Sequence, residues 1–343
     1  MTNPTQTPQN VRLATIAGTG MYAPERVIPN SYFDEMYKKD IGTFLREQRN
    51  IRERRWMKDS QSTSDLILPA AEAAMKNAGI TAKDLDLIIV ATDTPDYLSP
   101  STASVVQYKL GATKAGTFDL NTACAGFVTA LDTANKYIAA DSKFQNILVV
   151  GAYAMSKFLN FDDYKIASLF ADGAGAAIVQ PSKNGKGFLA STMYTDGQYH
   201  DYMGIYAGGS YQPVNNVDVL QKKSHLLAFP KRIPPETNGI HWPRLTKQVL
   251  TEINKTQHDV QHFFITQFNV QSIYETMDRL EVPRERSHNI MDRFGYTGSA
   301  SIGMALADAA SQHKLKTGDL VFFIGSGGGM SMSVLAMEWS YDT

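Results

Sequence analysis

The sequence predicts an α/β protein made of two similar halves, and three observations carry that reading. Short apolar, β-rich runs alternate with longer stretches whose apolar residues recur at helical spacing. The segment TACAGFVTALDTANKYI (122–138) lies over TGSASIGMALADAASQH (297–313), with small residues at a turn and an Ala- and Leu-rich face after it. Each segment is followed by an apolar strand, NILVVG or DLVFFIG. The order reads as an internal duplication, and alternating β and α elements imply packed sheets with helix layers. The halves are expected over 11–186 and 187–343. Residues 197–240 break the echo, holding Gly208, Gly209, Pro213, Pro230, Pro234 and Pro235, and read as an inserted loop region. Long loops in compact domains are often covers over a site.

Taken in order, residues 11–17 form a strand that Gly18 and Gly20 break. Ser64 to Ala78 is an amphipathic helix with Leu66, Ile67, Ala70, Ala71, Ala74 and Met75 on one stripe, and the Ser64 hydroxyl is placed to cap it. Leu87–Thr92 and Thr117–Leu120 are strands, the first a buried one. A helix follows from Gly126 to about Ala140, then strands at Asn146–Val150 and Gly175–Gln180. The second half runs strand Phe188–Tyr194, helix Trp242–Lys255, strand Phe263–Thr266 and helix Val270–Leu280. A turn at Gly295–Gly298 opens a helix to about Ala310, and strands Leu320–Ile324 and Ser333–Trp339 end the chain.

Of 343 residues, 43% are hydrophobic and the formal net charge is -1, which describes a globular protein. Nothing in that charge points to a nucleic acid or an anionic membrane surface. The longest apolar runs, such as Leu87–Ala91 and Ile147–Ala154, fall far short of the roughly 20 residues of a membrane span. Met1–Asn10 is rich in Thr, Pro and Gln, lacks a basic start before an apolar stretch, and reads as a frayed tail. The cytoplasm is the default location, and the single cysteine agrees because it cannot form an internal disulfide.

That cysteine, Cys124, follows a strand and directly precedes a helix. Free amides at a helix N-terminus favour an anion, which lowers a thiol's pKa and raises its thiolate fraction. A thiolate can attack a thioester and hold the acyl group. Ala123, Ala125 and Gly126 leave room around the sulfur. The competing reading is a buried structural cysteine packed as a small apolar residue. The run Gly327, Gly328, Gly329 lacks the Lys-Ser/Thr of a phosphate loop. It fits either a backbone that approaches a reacting centre or a tight turn between the last strands. Asp172, before glycines, reads as a structural acid.

Seven segments together resemble the β-ketoacyl-acyl-carrier-protein synthase III family of the thiolase superfamily, in that family's order. They are GTGMYAPERVIPN (18–30), NIRERRW (50–56), the helix from Ser64, TACAGF (122–127), LFADGAGAAIV (169–179), FGYTGSASI (294–302) and GSGGGM (325–330). The resemblance implies the duplicated five-layer α-β-α-β-α thiolase fold, Cys124 as the acyl-accepting nucleophile, and an oxyanion hole from the amides of Cys124 and Gly329. It implies an acyl thioester of coenzyme A or a carrier protein as substrate, no tightly bound cofactor, no metal, and a homodimer. Condensing members also carry a histidine and an asparagine, which donate hydrogen bonds to the enolate oxygen. The matching positions here are Thr266 in TQFN and Tyr296 in GYT.

Losing preorganised donors costs orders of magnitude in rate, so acyl transfer from Cys124 to another acceptor is favoured over ordinary malonyl condensation. Carbon–carbon bond formation with Thr266 and Tyr296 as replacements is the second expectation. A non-catalytic partner subunit in a hetero-oligomer is the third. The positions matching the family's adenine-stacking pair are Phe44 and Tyr164, two aromatic faces without the family's cation. Asn269 matches the family's substrate-side asparagine segment. The helix after it carries Glu275, Asp278, Arg279 and Glu281, a face that does not steer an acidic carrier. His200 and His225, in the inserted region, read as ordinary surface or satisfied histidines.

Overall fold

The computed structural model describes residues 12–343; the tail expected at Met1–Asn10 lies outside them. Strands β1 (Ala14–Tyr22), β2 (Arg26–Pro29), β3 (Glu53–Trp56), β4 (Leu87–Ala91), β5 (Gly116–Leu120), β6 (Ile147–Ala154) and β7 (Asp172–Pro181) come from the first part of the chain. Strands β8 (Phe188–Thr195), β9 (Val260–Ile265), β10 (Leu320–Gly327) and β11 (Ser331–Glu338) come from the second. One sheet has the order β1-β7-β6-β4-β5 and the other β8-β11-β10-β9, with β2 and β3 as a separate antiparallel ribbon.

The two orders correspond strand by strand. In the first sheet β1–β7 and β7–β6 are antiparallel and β6–β4 is parallel. In the second, β8–β11 and β11–β10 are antiparallel and β10–β9 is parallel. Only β5 lacks a counterpart; at the equivalent edge a single parallel bridge joins Phe263 to Ser287.

Two helices fill the space between the sheets. The Gly126–Ala140 helix packs on β4 and β6 of one sheet and on β10 and β11 of the other. The Ser301–Ser311 helix packs on β1 and β7 and on β9. Every residue from Ser301 to Ala309 is buried, as expected of a helix with apolar neighbours all round. Thr63–Ala78 covers β1 and β7 from outside, and Thr237–Glu252 covers β8 and β11 with Val270–Arg279 beside it. The result is the five-layer α-β-α-β-α thiolase arrangement. Phe263, Phe264, Phe322 and Phe323 are sealed in the second sheet, each contributing roughly 1.5–3 kcal/mol by leaving water.

Three local expectations change. β1 does not stop at Gly18 but runs through Gly18 and Gly20 to Tyr22. The Thr63–Ala78 helix lies so close that an added Cβ would stand 2.4 Å from the Ala74 carbonyl oxygen or 2.2 Å from that of Ala70. The helix cap is Ser62, not Ser64. Ser62 and Asp65 form a reciprocal capping box, while Ser64 is already helical and its amide donates to Asp96 Oδ1 at 2.8 Å. The helix expected at Trp242–Lys255 begins at Thr237, so the inserted region ends inside a helix. Among the described residues no helix is long and apolar enough to cross a membrane.

Candidate active site

The nucleophile turn is built by short-range hydrogen bonds. β5 ends at Leu120, and Asn121 Oδ1 accepts from the Ala123 amide at 2.9 Å. Ala123 takes a left-handed backbone, φ 46°. The Ala125 amide then donates to Thr122 O at 3.1 Å and that of Gly126 to Ala123 O at 2.9 Å, leading into the helix. A left-handed alanine costs about 1–2 kcal/mol, and such strain persists where surrounding structure fixes it, typically at functional sites. Here it presents Cys124, 3% exposed, to a cavity of about 710 Å³.

Thr266, Phe268, Tyr296, Ser326, Gly327 and Met330 line that cavity beside the sulfur. The inserted region supplies Met203 and much of the stretch from Phe229 to Asn238, so it covers the site. Four basic side chains, Arg49, Lys165, Lys231 and Arg232, face one acid, Asp163, in the lining. Lys231 is itself paired with Asp201 at 2.6 Å.

Burial pushes the Cys124 thiol up to about 12, and the charge of Asp93 adds to it. A hydrogen bond from the Tyr296 hydroxyl and the cysteine's own amide pull the other way and lose. The thiolate expected from the helix terminus is therefore not the resting state: desolvation outweighs the amides, and the sulfur rests protonated at neutral pH. Tyr296, 2% exposed, is held by Phe170, Phe268 and Tyr153, with ring centroids at 5.4, 5.1 and 6.5 Å. Burial and the neighbouring Cys124 keep its phenol far above the ordinary range, so it stays protonated and can donate.

Thr266 reaches the cavity, but its hydroxyl is engaged. Its Oγ1 accepts from the Ser326 amide at 2.9 Å and donates to Ser326 O at 3.4 Å, continuing the β9–β10 pairing. Asn269 also lines the cavity, and its Oδ1 caps the Val270–Arg279 helix by accepting from the Gln271 amide at 3.1 Å. Phe44 and Tyr164 are not part of the lining; they flank it. The expectation that no cation accompanies them is corrected. Arg49 lies over the Phe44 ring at 5.4 Å and the Phe268 ring at 5.9 Å, and Lys39 lies over Tyr164 at 4.3 Å. On the Val270–Arg279 helix, Glu275 and Asp278 pair with Arg279 and Arg284, which offsets their charge.

The cavity lining contains Gly327, not Gly329. A Cβ at Gly327 would stand 2.5 Å from the Cys124 amide nitrogen, so close approach of β10 to the nucleophile turn depends on that glycine. Asp172 is structural as expected, accepting from the amides of Met57 and Ser156, each at 2.8 Å. Burial pushes its carboxyl up to about 6. His200 is exposed and bound to its own turn through Gly197 O, and no histidine lines the cavity among the described residues. Arg49 and Asp93 escaped the sequence reading, whereas Gly327 belongs to the glycine run read as a possible close approach to a reacting centre. Asp93 carried one signal, an acid just past the carboxyl end of a buried parallel strand, where α/β sheets gather their sites.

The duplicated five-layer fold, with a cysteine on a strand-to-helix turn facing a basic-lined cavity, is that of a thiolase-fold enzyme of the ketosynthase III type. Residues 118–197 match the model of the 3-oxoacyl-[acyl-carrier-protein] synthase III family, and residues 250–339 match its C-terminal model. The chain is 37% identical over 326 residues to an acetoacetyl CoA synthase of Streptomyces sp. (strain CL190), covering 94% of this chain and 98% of that one. It is 33% identical to a β-ketoacyl-[acyl-carrier-protein] synthase III of Fusobacterium nucleatum, covering 95% and 98%. The 3-oxoacyl-[acyl-carrier-protein] synthase III structure from Aquifex aeolicus superimposes with a TM-score of 0.85 at 29% identity, over 95% of this chain and 100% of that one. The Thermus thermophilus counterpart gives 0.86 at 30%, over 95% and 99%. The chain belongs to the 3-oxoacyl-[acyl-carrier-protein] synthase III family, whose members act on acyl thioesters as acyltransferases or condensing enzymes.

Proposed function

We propose that the chain moves an acyl group from a thioester to a second substrate in two steps, through an acyl-Cys124 intermediate. The observation that carries this reading is the placement of the chain's one cysteine. It sits on a strained turn, open to a large cavity that Tyr296 lines with it. Two groups near the sulfur suit an oxyanion, the Cys124 amide and the backbone at Gly327–Gly329. The basic lining suits the phosphates of a coenzyme A or phosphopantetheine arm. Family membership also favours pairing of two copies, and Tyr97, Leu98 and Tyr108 are exposed, as apolar residues at an interface would be in a single chain. The departures at Thr266 and Tyr296 favour a role in specialised metabolism over housekeeping initiation.

Carbon–carbon bond formation is the second reading, favoured by the 37% identity to an acetoacetyl CoA synthase. It requires donors for the enolate oxygen that forms as a malonyl unit loses carbon dioxide. Tyr296 can supply one, while Thr266 is committed to Ser326.

Exchange of labelled coenzyme A into unlabelled acetyl-CoA, with no acceptor present, tests the two-step course. Exchange that disappears in Cys124→Ala is the expected result. Exchange in neither protein overturns a covalent step with this donor and turns attention to a non-catalytic partner subunit. Adding malonyl-CoA and finding a 3-oxoacyl product would favour the second reading over the first.

A further inference from the structure

A thiol held at about 12 needs a proton acceptor, and among the described residues no histidine lines the cavity. One acid whose charge reaches the sulfur, Asp93, has a buried carboxylate oxygen that the fold leaves without a partner. Asp93 follows β4, and its backbone is pinned on both sides. The Thr92 amide donates to Leu120 O at 3.1 Å, on the strand that leads to Cys124. Thr94 Oγ1 accepts from the Ala154 amide at 2.9 Å, on the strand that carries Tyr153. Asp93 is thus fixed between the nucleophile turn and Tyr153. Its Oδ1 is sealed from solvent and has no hydrogen-bond partner, although the residue keeps some surface.

The groups that feel its charge are Cys124, Tyr153 on β6 and Tyr296 on the facing turn. No lysine, arginine or histidine acts on it; burial alone pushes it up, to about 6, against its own backbone amide. An uncompensated carboxylate at such a place lowers stability. Perturbed acids of this kind cluster where proton transfer is needed.

We propose that Asp93 is the proton acceptor for Cys124. As the sulfur attacks a thioester carbonyl carbon, the S–H proton passes to the Asp93 carboxylate and the Sγ–C bond forms. The bond from that carbon to the donor sulfur then breaks, and the donor leaves as a thiol carrying the proton back. The inference rests on the acyl-Cys124 reading, and its test is chosen to stand apart from it.

Iodoacetamide alkylates Cys124 without any acyl donor, and as the chain's one cysteine it gives an unambiguous mass shift. Rates are measured on the full chain over about pH 5 to 9. The wild type is expected to speed up through about pH 6 and then level off. Asp93→Asn is expected to be about 100-fold slower at neutral pH and to keep accelerating as pH rises. Should Asp93 only repel the thiolate, removing its charge lowers the thiol's pKa and alkylation becomes faster. A rate in Asp93→Asn equal to or above wild type therefore overturns the proposal. So does a wild-type rate that climbs about tenfold per pH unit without levelling, an outcome that needs no variant. Alkylation that behaves as expected while no thioester ever marks Cys124 leaves Asp93 as the base and removes the acyl-transfer reading.

Discussion

The turn that presents Cys124 and the turn at the start of the Ser301–Ser311 helix are the same piece of backbone used twice. Ala123 has φ 46° and Gly298 has φ 47°, each one residue before the position that matters. The Ala125 amide donates to Thr122 O at 3.1 Å, and the Ala300 amide donates to Thr297 O at 2.9 Å. At the matching position one turn has Cys124, open to the cavity. The other has Ser299, buried, its Oγ donating to Ala152 O at 2.7 Å. The second turn is relaxed and closed: glycine takes the left-handed backbone, and the hydroxyl is spent on a strand of the opposite sheet. The first is strained and open, with an alanine in the left-handed position and a sulfur whose pKa is raised by burial and by the charge of Asp93. Function sits where the duplicated motif is the less stable copy.

The largest effect is expected in the closed copy. At Gly298 a Cβ would stand 2.4 Å from the Tyr153 ring, on a backbone that disfavours side chains. Gly298→Ala should cost about 3 kcal/mol of unfolding free energy in urea melts. A loss under about 1 kcal/mol would show that the closed turn is not rigid. Next comes Tyr296→Phe, which removes the hydroxyl from the sulfur and keeps the ring among Phe170, Phe268 and Tyr153. A fall of roughly 10- to 100-fold in kcat with unchanged melting is expected, and an unchanged kcat would leave the open turn without its donor.

A smaller effect reads the cost of the open copy directly. A carboxyl raised by burial destabilises the fold increasingly as pH climbs from its ordinary range through about 6. Asp93→Asn should therefore melt a few degrees above wild type at pH 8. The gap should close as pH falls below 6 toward the ordinary carboxylate range, where both proteins carry a neutral group. A gap independent of pH would mean the charge is not what the fold resists. Smallest is Thr266→Val. Its hydroxyl serves the Ser326 amide, so about 1 kcal/mol of stability should be lost. The kcat should stay within about threefold of wild type; a drop comparable to that of Tyr296→Phe would make Thr266 a catalytic donor.

The duplication and the nucleophile were legible because they are local. Helical spacing, small residues at a turn and a cysteine before a helix all lie within short stretches. The cap at Ser62 was missed by two residues because the box with Asp65 is read only when both partners are considered. β1 was cut short because its glycines answer to a helix some 50 residues further along the chain, which no local pattern reveals. The protonation state of Cys124 was misjudged for the same reason. The helix terminus is visible in sequence, whereas the burial and the Asp93 charge that outweigh it come from three separate strands meeting. Arg49 and Lys39 likewise reach the Phe44 and Tyr164 rings through folding, not through a motif.

The most direct test of the account is the intact mass of the protein after brief exposure to an acyl-CoA and acid quench, wild type beside Cys124→Ala. One added acyl group is expected on the wild type, mapped to the peptide containing Cys124, and none on the variant. An adduct that persists in Cys124→Ala, or turnover with full rate in that variant, would contradict it.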